Sequence, residues 1–180
     1  VFRHKTLLHF PLYADNSSSN NMSPLSVDCF NFPRRFIVTE EPSQNTLRSF
    51  WNLVLSHEVE IVVWLNGTNH NYKVKMYMIL KYYYYTLSPK DYSSFWPKDA
   101  LHWFVNESNK LVFVCQDDSN DIYNTITVKI DTIGKSEEKF VKIIYVKTWE
   151  RTSATPSSTK DLIQIYDKIA PYNGQIVVAC

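Results

Sequence analysis

Glycine is nearly missing from this chain: Gly67, Gly134 and Gly174 are the only three in 180 residues. Loops that wrap phosphate with backbone amides need glycine for close approach or positive φ. The scarcity therefore argues against a phosphate-cradling loop within this stretch. Cysteine is sparse as well. Cys29, Cys115 and Cys180 form an odd set at scattered spacing, which is no disulfide framework and favours a reducing compartment. His4, His9, His57, His70 and His102 show no zinc-type pairing with those cysteines, and no cofactor is implied. Neither sign of charge dominates. Nineteen Lys and Arg against eighteen Asp and Glu leave a net charge of +1, so nothing draws the chain as a whole to nucleic acid or an acidic membrane. No apolar run reaches membrane-spanning length, Val1 does not open a signal peptide, and no internal repeat is present. The sequons at Asn16, Asn21, Asn66 and Asn106 would matter only in a secreted protein.

What is present suits one domain with a buried core, since 44% of residues are hydrophobic and 21% charged. Asp15 to Ser26, rich in Ser and Asn, reads as an exposed loop. Arg35 to Thr39 is a short strand closed by Glu40-Glu41-Pro42. Ser43 to Glu58 is the clearest helix, with Leu47, Phe50, Trp51, Val54 and Leu55 on one stripe and Ser43 as cap. The run from Val59 to Leu65, apolar on both faces, reads as a buried central strand. Tyr72 to Thr86 looks like β structure, and Leu111 to Cys115, Ile122 to Ile130 and Phe140 to Lys147 are further strands, whose short polar connections favour antiparallel pairing. Ser158 to Ile169 is a second amphipathic helix with a stripe of Leu162, Ile165, Tyr166 and Ile169. Ser158 and Asp161 fit a capping box there. Gln175 to Ala179 is a buried strand that runs into Cys180. The order gives an α/β fold, a mixed sheet with helices on it.

Several stretches resemble a known family in collinear order. Arg3-His4-Lys5-Thr6-Leu7-Leu8 resembles N-R-Y-K-N-I-L from its arginine onward, and Asp28-Cys29-Phe30-Asn31 resembles D-Y-I-N. Phe36 to Pro42 resembles Y-I-A-T-Q-G-P. Asn45-Thr46 with Ser49-Phe50-Trp51 resembles N-T-x-x-D-F-W, and the strand Ile61-Val62-Val63 follows. Phe95-Trp96-Pro97 resembles Q-Y-W-P. Lys139-Phe140-Val141 through Tyr145 to Trp149 resembles R-x-V-x-x-x-x-Y-x-x-W, with Pro156 near the close of the loop beyond. Gln175 to Cys180 resembles P-V-V-V-H-C. Together these are similar to the classical protein tyrosine phosphatases, and the short, divergent form resembles the phosphatase-like proteins of parasitoid-wasp bracoviruses, with fast-diverging nematode phosphatases as the competing source. The resemblance implies a mixed, highly twisted β-sheet flanked by helices, as in the N-terminal two-thirds of a phosphatase domain. Residues 1–180 would form one such domain lacking the part after the nucleophile strand.

The reaction implied by the resemblance runs through a cysteinyl-phosphate. Cys180 matches the nucleophile; without the resemblance it is a small hydrophobe ending a buried strand. The family's preceding histidine is Ala179 here, and the S-A-G-x-G-R loop with its arginine does not follow within the sequence. Trp149 is followed by Glu150-Arg151 where the family has Pro-Asp. Arg151 thus holds the general-acid position, and a guanidinium does not donate a proton near neutral pH. Glu150 is a carboxylate one place away, displaced from the attack geometry; both residues also read as solvated loop charges. His4 stands where the family stacks tyrosine on phosphotyrosine, and also reads as a surface histidine. Arg34-Arg35 reads as a phosphate-attracting or a solvated basic pair, and Tyr82 to Tyr85 as an interaction patch or a covered strand.

Three readings follow. One is a pseudophosphatase that binds signalling proteins or a phosphotyrosine protein in the host-cell cytoplasm, touching immune or cytoskeletal signalling. Another is a fragment of an active phosphatase. The last is a degenerate product in which Val177 and Val178 lose their cover. Oligomeric state is not legible.

Overall fold

The computed structural model describes residues 5–7, 22–29, 32–43, 45–65, 95–97, 102–149 and 158–180. Within them the chain forms β1 (Lys5–Leu7), β2 (Leu25–Cys29), β3 (Phe32–Thr39), α1 (Leu47–Ser56), β4 (Ile61–Leu65), β5 (His102–Phe104), β6 (Asn109–Asp117), β7 (Tyr123–Thr132), β8 (Lys139–Val146), α2 (Thr159–Ile169) and β9 (Ile176–Ala179). The strands make one mixed, twisted nine-stranded sheet in the order β1-β2-β3-β9-β4-β8-β7-β6-β5. Its middle, β3-β9-β4-β8, is parallel. Both wings are antiparallel.

The parallel centre lies where the sequence is apolar on both faces. Along β4, Val62 and Trp64 pack with α1 in one core, while Ile61 and Val63 pack with α2 in another. Side chains alternate across a strand, so the helices cover opposite faces, and β4 has to be hydrophobic throughout. β9 repeats this pattern: Val177 and Ala179 join the α1 core and Ile176 the α2 core. Val177 is fully buried and Val178 partly so. Val177 thus keeps its cover within the α1 core, whereas Val178, packed against the α2 core, is covered only in part.

Both helices are shorter or less covered than their patterns predict. α1 begins at Leu47, not near Ser43, because Ser43 and Thr46 bond to each other in a turn. The Ser43 amide donates to Thr46 Oγ1 at 2.9 Å, and the Thr46 amide donates to Ser43 Oγ at 3.3 Å. Its buried face is Phe50, Trp51, Leu53 and Val54. It closes on a Schellman turn, with Glu58 N–H donating to Leu55 O at 3.2 Å and Val59 N–H to Val54 O at 3.0 Å. Glu58, at φ 50, takes the left-handed position that glycine usually fills. α2 starts as expected: Ser158 Oγ accepts from the Asp161 amide at 3.4 Å. Only Ile165 and Ile169 of its stripe are buried; Leu162 and Tyr166 are 44% and 53% exposed.

Leu25 and Ser26 belong to β2, not to the polar loop before it, because they pair with Val38 and Ile37. β5 falls in the short apolar stretch Leu101 to Val105, which is not among the predicted strands, and is held by its pairing with β6. β6 extends past both ends of its apolar segment, as Gln116 and Asp117 pair with Ile126 and Thr125 of β7 while exposed to solvent. The predicted strand at Tyr72 to Thr86, including Tyr82 to Tyr85, lies outside the described residues.

Candidate functional site

In open α/β sheets the ligand crevice forms at the carboxyl ends of the parallel strands. Here β3, β9, β4 and β8 bring a row of side chains together at that end. Thr39 stands opposite Ala179, Ala179 opposite Trp64, Trp64 opposite Tyr145, and Tyr145 opposite Asn124 of β7. Directly paired residues share a face, and Trp64 and Ala179 fix this one as the α1 face. Trp64 meets Phe95, Trp96 and Tyr145 with ring centroids 4.9, 5.2 and 4.8 Å away. The buried Phe95-Trp96-Pro97 segment is tied down by Trp51, whose Nε1–H donates to Phe95 O at 2.8 Å. Burial, with the Glu41 carboxylate next in effect, pushes the Tyr145 phenol above its ordinary range.

Cys180 is the next residue along β9. Its N–H donates to Thr39 O at 3.1 Å, its carbonyl accepts from Glu41 N–H at 3.0 Å, and its Sγ lies 3.9 Å from Thr39 O. The parallel ladder with β3 thus continues one residue beyond the strand and holds the Cys180 backbone at the rim, with the residue exposed. The amides of Cys180 and Glu41 are both spent on this ladder. Glu40 and Glu41 add two carboxylate residues directly beside it.

Sequence reasoning did not find Thr39, Trp64, Tyr145 and Asn124 as neighbours, because their proximity depends on the register of five strands. Among the described residues, Thr39 Oγ1, Trp64 Nε1 and Asn124 Oδ1 are buried and have no hydrogen-bond partner.

Arg35 has neither of the roles its sequence suggested. It is 7% exposed and donates to Ile169 O at 3.3 Å, Ala170 O at 3.3 Å and Tyr172 O at 2.8 Å. Those carbonyls close α2, where a guanidinium satisfies unpaired acceptors and complements the helix dipole. Arg35 therefore braces the turn that leads into β9 and Cys180. His57 Nδ1, 2.8 Å from Gln175 Oε1, ties the end of α1 to the same segment.

His4, Glu150, Arg151 and Pro156 lie outside the described residues, as does the side chain of Arg34. Trp149 lies just past β8 and packs against the α2 core. Among the described residues no group of three or more His, Cys, Asp or Glu could hold a metal, and no helix is long and apolar enough to cross a membrane.

Known proteins share this fold. Two solved chains of the phosphatase PTPN18 match with TM-scores of 0.66 and 0.64, each at 14% identity, covering 90% and 87% of this chain and 52% of theirs; one was solved with HER2 phospho-peptides. At that identity the likeness shows the fold. Tyrosine-protein phosphatase 99A of Drosophila melanogaster is 26% identical over 155 residues, 81% of this chain and 10% of its own length. Tyrosine-protein phosphatase non-receptor type 2 of Homo sapiens is 21% identical over 178 residues, 96% of this chain and 39% of its own. The chain thus spans two-fifths or less of these curated relatives. With residues 15–180 matching the profile described as Protein-tyrosine phosphatase, over strands and helices that assemble in the same fold, the chain belongs to the classical protein tyrosine phosphatase family.

Proposed function

We propose that this family member is a pseudophosphatase, one that has lost phosphotyrosine hydrolysis and acts by binding signalling partners. The observation that carries the reading is Trp149-Glu150-Arg151, with arginine where the family keeps the acid that protonates the leaving phenol. Two features of the Cys180 rim support it. The nearest amides are committed to the β3 ladder, and the Glu40 and Glu41 carboxylates oppose a phosphate dianion. In this reading Cys180 is the nucleophile-equivalent, Glu150 does not replace the acid, and His4 marks the stacking position without serving it. The low identity to the curated relatives, 21% to 26%, suits a fast-diverging origin. We extend the reading to the bracovirus group, and with it to the cytoplasm of the parasitised host's cells and its immune signalling.

The alternative, an active phosphatase, makes the opposite prediction in the same assay. Hydrolysis of p-nitrophenyl phosphate is measured for the chain, for Cys180→Ser and for Arg151→Asp. The pseudophosphatase reading expects the first two to be equal. Hydrolysis that disappears in Cys180→Ser overturns it. A gain of about 10²–10⁴-fold in Arg151→Asp, the usual worth of general acid catalysis, would show that the acid was the missing part.

A further inference from the structure

From β5 to β8, the side of the sheet opposite α1 carries two rows of side chains set by direct strand pairing. His102 stands opposite Val112, Val112 opposite Lys129, and Lys129 opposite Phe140. Two residues along, Phe104 stands opposite Lys110 and Lys110 opposite Asp131. Paired residues share a face, and neighbours along a strand alternate. Leu111, Ile130 and Val141, which alternate with these residues, lie in the α1 core, so both rows point away from it. The α2 core takes in this side only farther along β8, at Ile144 and Val146. The half around the two rows stays open: Phe104 is 57% and Phe140 44% exposed, and His102 is exposed as well. Between the phenylalanines the charges alternate in sign. Asp131 lies 3.4 Å from Lys110 and 2.9 Å from Lys129, and Lys129 lies 3.2 Å from Glu138. The side chains of Lys110 and Asp131 keep a third of their surface in solvent, 33% and 35%, which leaves each room for a second partner.

We propose that this face docks a second copy of this chain, sheet on sheet, about a two-fold axis that runs along the strands between β6 and β7. Such an axis lays β6 on the β7 of the other copy and β5 on its β8, and keeps each row at its own level. Lys110 then stands over Asp131 of the other copy, and Asp131 over its Lys110. A two-fold contact uses one patch twice, so the patch has to complement itself. This one does: lysine on β6 and aspartate on β7 at one level match their own rotated image. A uniformly basic or acidic partner would instead meet repulsion at one of the two residues. The same rotation brings His102 against Phe140 of the other copy, twice, as an aromatic contact. It also sets Val112 against the apolar stem of Lys129. The inference concerns assembly and stands apart from the pseudophosphatase reading.

Sedimentation velocity over rising protein concentration tests it. The chain is expected to pass from monomer to dimer at micromolar concentration, the strength suited to a small and partly polar interface. Lys110→Glu and Asp131→Lys each set like charges against one another at both symmetry-related contacts. Close charge pairs are worth about tenfold or more each, so either reversal should raise the dissociation constant about a hundredfold. The two variants mixed in equal amounts should form a heterodimer close to the parent in strength, because both contacts then join opposite charges again. Recovery on mixing isolates the contact between copies, since the Lys110–Asp131 bridge within each chain is absent from both variants. Phe140→Ser, at an exposed position, should weaken the dimer about tenfold and decides the matter if either reversal loses its folded spectrum. A chain that stays monomeric to about 0.5 mM, a dimer indifferent to these substitutions, or folded variants that fail to pair on mixing overturns the proposal. Open-ended assembly in place of a dimer also overturns it, since a two-fold contact closes on itself.

Discussion

Replacing Arg35 with methionine tests how the end of α2 is held in front of β9. Methionine keeps much of the side-chain length and apolar stem, so packing changes little and the hydrogen bonds are isolated. Arg35 donates to three carbonyls, one at 2.8 Å and two at 3.3 Å. Hydrogen bonds to a charged group contribute about 1.5–3 kcal/mol, and a buried acceptor left unpaired costs a similar amount. Taking the short bond near the upper figure and the two long ones as one further weak bond gives a loss of about 3–4 kcal/mol. For a chain of this length each kcal/mol moves Tm by about 2–4 °C, so the shift should be about 6–16 °C downward. Urea unfolding followed by tryptophan fluorescence reads the change as a lower midpoint at constant slope. Arg35→Lys, which keeps the charge and loses the planar fork, should recover about half. A loss below about 0.5 kcal/mol for Arg35→Met, the range of ordinary surface changes, would refute the role given to this residue.

Three further outcomes follow from the same structure. Trp51→Phe removes the donor to Phe95 O and should cost about 1–3 kcal/mol in the same unfolding experiment, beyond any loss of ring volume. Glu58→Gly should stabilise the chain by about 0.5–1 kcal/mol in thermal melts, because φ 50 strains a side-chain-bearing residue. The exposed ion pair it forfeits, 3.4 Å from Lys139, returns little. The Tyr145 phenol, raised by burial and Glu41, binds its proton more tightly in the folded state. Its contribution is therefore complete below the ordinary tyrosine pKa of about 10 and declines as pH rises through the folded value. Tyr145→Phe should flatten this alkaline loss of stability, and ultraviolet titration should show its tyrosinate step gone.

The elements legible in the sequence were those whose burial leaves a local pattern. β4 and β9 show as runs apolar on both faces because helices cover both sides of them. α2 shows its first residue through Ser158, whose hydroxyl has a partner three residues on. The start of α1 was misread because Ser43 is a good cap in isolation, and its bond to Thr46 decides otherwise. Half of the α2 stripe stays exposed, since periodicity reports which face could be buried and not whether anything covers it. β5 was missed because a stretch as short as Leu101 to Val105, interrupted by His102, is too brief to show a period. At the site, the apolar run from Gln175 to Ala179 marks only a buried strand, and Cys180 stands out through the resemblance of that segment to P-V-V-V-H-C. The role of Arg35 depends on carbonyls more than 130 residues away, and the Thr39-to-Asn124 row depends on register. Neither kind of information resides in a local stretch of sequence.

The central claim is that phosphotyrosine hydrolysis has been lost, and rapid mixing with p-nitrophenyl phosphate tests it most directly. The protein translated from the whole transcript is mixed at high concentration with the ester, and p-nitrophenol release is followed from the first turnover. The account predicts no burst and no phosphocysteine at Cys180 by mass spectrometry. A burst stoichiometric with protein, absent from Cys180→Ser, would contradict it and make the chain part of a working phosphatase.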